Sequence, residues 1–168
     1  MRFRVKLFFI YSAVCFVLAS VGYFTLQSVM PQGYVFGVFF RMILYHWHYP
    51  LQYIALISFI YGVTATLWAE YYGHLKSWKR FCSILGMFVV TILLSSAPGG
   101  ILWKIHDMQA GFFPSGQKLW SDLTWGASQG IFLGWLIIAL SIPYNFLGVI
   151  IGYVATDKIQ KSITQKTL

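Results

Sequence analysis

The chain has 168 residues, 58% of them hydrophobic and only 10% charged, with a mean hydropathy of +0.69. A water-soluble domain carries roughly a quarter charged residues, so this composition excludes one, and most of the apolar side chains must face lipid or other apolar helices. The formal charge of +8 does not suit a nucleic-acid reader, because the cations stand in short clusters between apolar runs and not on one wet face.

The chain opens on Arg2, Arg4 and Lys6, followed by an apolar stretch over residues 7–30. A charged start and an apolar run also describe a secretory signal, with Val17-Leu18-Ala19 as a formal cleavage site. The run continues past that point and reaches the ~20 residues needed to cross the hydrocarbon core. A retained first span is expected. Cys15 within it and Cys82 further on lack a CxxC partner and are read as small apolar fillers, not as a disulfide or zinc framework.

Pro31 and Gly33 end this span. Residues 34–45 are apolar except for Arg41, and the segment is too short to cross a ~30 Å core. It is expected to lie in the interface, with Tyr34, Phe36, Phe39 and Phe40 at headgroup depth and Arg41 reaching to water. His46-Trp47-His48-Tyr49-Pro50 closes it. The second span is expected over 51–69, with Pro50 in the first helical turn, where a missing N–H costs nothing.

The stretch from Glu70 to Arg80 contains His74, Lys76 and Lys79 and reads as a polar cytoplasmic loop; Glu70 and His74 have helical pair spacing. A third span over 81–101 is expected to end at Ser95-Ser96-Ala97-Pro98-Gly99-Gly100, where Pro98 withdraws a backbone donor. Trp103 to Leu123 then reads as the longest water-exposed stretch. The fourth span is expected over 125–155, with Pro143 as the cause of a kink.

Orientation follows from the cations. Nine of them, Arg2, Arg4, Lys6, Lys76, Lys79, Arg80, Lys158, Lys161 and Lys166, fall on one side of these spans, and three, Arg41, Lys104 and Lys118, on the other. The positive-inside rule then makes both termini and the loop at 70–80 cytoplasmic. The expected fold is an all-α integral membrane protein: a four-transmembrane-helix bundle with a short interfacial segment between helices 1 and 2. It forms a single membrane domain over 1–168, with no soluble domain, in a bacterial cell membrane.

Helices in lipid associate through close packing of small residues and buried hydrogen bonds. Gly126, Gly130 and Gly134 recur every four residues, Gly148 and Gly152 repeat the spacing, and Ser58, Gly62 and Thr66 do so in the second span. These stripes either join helices within the monomer or present a docking face to another membrane protein or a second copy. Gln27, Gln52, Gln129 and Asn145 are candidates for interhelical hydrogen bonds.

No Asp, Glu, Lys, Arg or His falls near the middle of an expected span, which argues against a transporter or proton relay working alone. The chemically capable residues gather on the opposite side from the nine cations. His46, His48 and His106 are candidate metal or haem ligands, with a carboxylate able to ligate or orient beside them. Asp107 and Asp122 are candidates for an acid pair sharing a proton. Four-span lipoprotein signal peptidases have this size, topology and outward acid pair, but the asparagine-containing motifs expected around their aspartates are missing. Four-span disulfide-forming oxidoreductases need paired outward cysteines, also missing. Boundary residues beside Trp47, Trp103, Trp120 and Trp125 explain the same histidines without any ligand.

The reading that follows is an accessory, regulatory or immunity-type partner of another membrane component, with the lipid bilayer as its solvent, no cofactor and no nucleic acid. The alternative is a membrane enzyme or metal or haem redox protein with its site at the extracytoplasmic interface. The loop at 70–80 and the basic tail are suited to anionic headgroups or to a cytoplasmic partner.

Overall fold

The computed structural model describes residues 2–29, 49–72, 75, 77–111, 119–140 and 142–164. They form five helices: α1 (Arg2–Val29), α2 (Pro50–Tyr72), α3 (Ser77–Gln109), α4 (Leu119–Leu140) and α5 (Ile142–Thr164). There is no strand among the described residues. Segments Arg4–Thr25, Pro50–Ala69 and Ser77–Gln109 are each long and apolar enough to cross a membrane. The expected interfacial segment at 34–45, with His46 and His48, lies outside the described residues, as do His74 and the side chain of Glu70.

One expectation is corrected. The third helix does not stop near Gly100 but continues to Gln109 with Pro98 inside it. A proline inside a helix removes one backbone bond and crowds the carbonyl one turn back. Tertiary packing supports the helix here, because Gly99 and Gly100 are buried. One turn earlier, the Ser95 hydroxyl donates to the Thr91 carbonyl and the Ser96 hydroxyl to the Ile92 carbonyl, both at 2.6 Å. Residues 103–109, expected in water, are therefore helical, and Lys104 and His106 are buried.

The fourth span, expected over 125–155 with a kink at Pro143, falls on α4, which ends at Leu140, and α5, which begins at Ile142; Ser141 between them lies outside the described residues. Both helices line α3 in antiparallel order: Gly126 meets Gly100, Gly134 meets Ser96, Gly152 meets Phe88 and Asp157 meets Arg80. Eighteen positions separate Gly134 from Gly152, where eight separate Phe88 from Ser96. Equal rise per residue then forbids α5 from being the straight continuation of α4.

A buried cluster of Leu7, Tyr11, Tyr61, Ala65, Ile84 and Met87 joins α1, α2 and α3, with Tyr153 and Ile159 of α5 packed against it. A smaller one joins Tyr23 of α1 and Ile54 of α2 with Leu133 of α4 beside them. Hydroxyl pairs cross between helices at 2.9 Å, Thr64 with Thr91 and Tyr61 with Thr156, and the Trp68 indole N–H donates to the Ser83 hydroxyl at 2.9 Å. Such bonds contribute about 0.6 kcal/mol each in lipid. At one end, Arg80 donates to Asp157 at 2.6 Å, tying the start of α3 to α5. The start of α1, the end of α2, the start of α3 and the end of α5 thus share one end, which carries Arg4, Lys6, Lys79, Arg80 and Lys158.

The closest approach of two helices is α3 against α4. A Cβ added at Gly130 would overlap the Ser96 carbonyl oxygen and approach the Gly100 Cα to 3.0 Å, and one at Gly100 would overlap the Gly126 carbonyl oxygen. Gly134 likewise abuts the Ser96 side chain, Gly62 abuts Ser12 of α1, and Gly152 abuts the Phe88 ring. Gly130→Ala and Gly100→Ala are each expected to cost about 1–3 kcal/mol through overpacking. Gly22→Ala and Gly86→Ala, whose added Cβ would meet nothing within 4 Å, are expected to hold stability or raise it by up to ~1 kcal/mol through helix propensity. Unfolding of the four variants in detergent micelles checks the contrast.

Candidate functional site

The glycine rows carry an ion pair at their end. On α3, Ser96, Gly100 and Lys104 recur every four residues; on α4, Asp122, Gly126, Gly130 and Gly134 do the same. Positions four apart share a helix face, so pressing the glycines together brings the charged members of the two rows to the same level. Lys104 Nζ lies 4.0 Å from Asp122 Oδ1, with the Lys104 side chain 4% exposed and that of Asp122 32% exposed. The ammonium also stands over the Trp125 ring, 5.0 Å from its centroid, a cation–π placement. Trp103 and Trp125 pack with centroids 6.4 Å apart.

Asp122 suits its helix: it is in the first turn of α4, where a carboxylate meets the favourable end of the helix dipole. His106 is in the last turn of α3. Counting about 20 residues from Arg80, the length that crosses a hydrocarbon core, reaches Gly100. Lys104 and His106 lie past that length.

His106 is held from α2. Tyr49 stacks on its imidazole with centroids 4.2 Å apart and planes at 29°. The fully buried Tyr53 places its hydroxyl 3.4 Å from His106 Nδ1, a long contact in which the hydroxyl donates when that nitrogen is unprotonated. Asp107 follows on α3, half-buried.

The structure thus brings His106 and the Lys104–Asp122 pair to one end of the bundle and uses them to lock α2, α3 and α4 together. His46 and His48, the other candidate ligands, lie outside the described residues. Among the described residues, no three His, Cys, Asp or Glu side chains come together as a metal-holding group. Of the stripes, Gly126, Gly130 and Gly134 face α3, Gly62 faces α1 and Gly152 faces α3, while Gly148 lies within α5. Ser58 is buried on α2. The residues that sequence reasoning missed are Lys104, Tyr49, Tyr53 and Ser96. A signal for Lys104 was available: it continues the small-residue row of α3 as Asp122 continues that of α4.

No known protein family, curated protein or solved structure matches the chain. The functional reading therefore rests on its own residues.

Removing one partner of a buried pair costs more than removing both, since a lone charge keeps its desolvation penalty. Asp122→Asn is expected to destabilise by about 1–3 kcal/mol, less than the 3–5 kcal/mol of a fully buried pair because Asp122 is one-third exposed. Adding Lys104→Met to Asp122→Asn should recover most of that loss. A double-mutant cycle on thermal unfolding in detergent checks this; additive losses would remove the pair from the account.

Proposed function

We propose that this chain is a multi-pass protein of a bacterial plasma membrane, with four spans and both termini cytoplasmic, acting as an accessory, regulatory or immunity-type partner of another membrane component. The fourth crossing is made by α4 and α5 together, which start beside the end of α3 and finish beside its start. Placing the cationic end in the cytoplasm follows the positive-inside rule.

The observation that carries the partner reading is the contrast at the opposite end. There Lys104, Asp122 and His106 brace helices, while Trp120, 80% exposed, and Leu119, 50% exposed, stay outside; Trp125 and Tyr49, 45% and 43% exposed, already meet Lys104 and His106 on one face. Trp and Tyr at a boundary serve as membrane anchors and, in protein contacts, as the residues that supply most binding energy. The exposed Trp120 and Leu119 are the surface that the partner reading assigns to contact.

Topology is tested first, in a Cys15→Ser/Cys82→Ser background. Ser121→Cys is expected to react with an impermeant maleimide from outside intact cells, and Ser162→Cys only after permeabilisation; the reverse pattern overturns the orientation. For the partner, affinity purification in a mild detergent is expected to recover a stoichiometric membrane protein, and Trp120→Ala to lose it while thermal stability is unchanged. A lone monomer after crosslinking in intact membranes would sink the partner reading, and a bound metal or chromophore would favour a redox protein in its place.

A further inference from the structure

We propose that the basic end of the bundle is a binding surface for anionic phospholipid headgroups, built by Lys6 of α1, Lys79 of α3 and Lys158 of α5. The inference rests on the membrane-spanning reading above and adds selectivity among lipids to it.

The three lysines come from three helices, and packing brings them to one level. Each flanks or lies near a member of the same apolar cluster: Leu7 follows Lys6, Ile159 follows Lys158, and Ile84 lies just over one turn beyond Lys79. All three side chains are exposed. Asp157, the one acid with a described side chain at this end, is already engaged by Arg80 at 2.6 Å. Among the described residues no ion pair joins Lys6, Lys79 or Lys158 to an acid, and their exposed ammonium groups suit an external anion.

Depth favours lipid phosphate over an acidic cytoplasmic protein. Each lysine stands within about one turn of an exposed apolar side chain: Lys6 beside Val5 and Phe9, which are 49% and 63% exposed, Lys79 beside Trp78 at 73%, and Lys158 one turn from Val154 at 46%. The Trp78 ring stacks on Phe81, which meets Tyr153 of α5 edge-on. An exposed tryptophan fixed against the bundle marks the headgroup level of a membrane protein. Lysines at that level lay their stems along the apolar surface and lift their ammonium groups to the phosphates.

The full chain, reconstituted into phosphatidylcholine bilayers with trace spin-labelled lipids, tests this through the motionally restricted component of the spectrum. Spin-labelled phosphatidylglycerol is expected to be restricted in preference to phosphatidylcholine, by up to about fivefold for each lysine that meets a phosphate, the equivalent of ~1 kcal/mol. The preference should vanish in 1 M salt, where the screening length falls to about 3 Å. It should vanish also in Lys6→Gln/Lys79→Gln/Lys158→Gln and survive in the triple Lys→Arg variant. If the triple glutamine variant does not fold, the three single variants are each expected to lose part of the preference.

Restricted lipid without any preference, or a preference that persists in the glutamine variants, overturns the lipid surface and leaves the spanning bundle standing. Absence of a restricted component for either lipid overturns both. Loss of a co-purifying acidic subunit in the glutamine variants, with no lipid preference in the wild type, assigns the lysines to a protein and overturns the proposal.

Discussion

The architecture depends on the backbone contact between α3 and α4. Where Ser96 and Gly100 meet Gly126, Gly130 and Gly134, no Cβ can be inserted without overlap, so the two helices touch through their main chains. In lipid, apolar side chains gain nothing by leaving one hydrocarbon for another, and close packing of small residues is what drives helices together. This contact fixes the register of α4 on α3. The ion pair of Lys104 with Asp122, the placement of Trp125 under the ammonium and the burial of His106 all sit at its end.

The bundle divides its polar chemistry between its two ends. At the basic end, Arg80 and Asp157 join α3 to α5, and the remaining described cations are turned outward. At the other, Lys104 and Asp122 join α3 to α4, and His106 joins α3 to α2 through Tyr49 and Tyr53. Between these levels the helices are linked by hydroxyl pairs such as Thr64 with Thr91, which satisfy their polarity without bringing a charge into the interior. Such a division suits helices long and apolar enough to cross a membrane, where charges at mid-depth are costly.

This division bears on function. Ionisable groups that brace helices are the same groups a sequence reading offers as ligands or catalysts, and His106 illustrates the point: its burial and its two tyrosine neighbours belong to the α2–α3 contact. The outward aromatic rim and the outward lysines are the features left over once the fold has been accounted for. One lies at the level of Trp120, the other at the level of Trp78.

Much of this was written in the sequence. Composition alone demanded apolar helices, the runs at 7–30, 51–69 and 81–101 correspond to long helices, and the glycine spacing after Trp125 announced a close helix contact, because these properties depend only on local hydrophobicity and helical period. The structure decided what those signals could not. Whether Pro98 ends a helix or is carried within one depends on the neighbour that buries Gly99 and Gly100, which is more than twenty residues away in the chain. Whether Lys104 and His106 lie in water or inside a contact depends on Asp122 and Tyr53 arriving beside them, and whether a glycine stripe is a free face depends on which helix fills it. Each is a question of long-range placement, and a local pattern is the same whichever way it is answered.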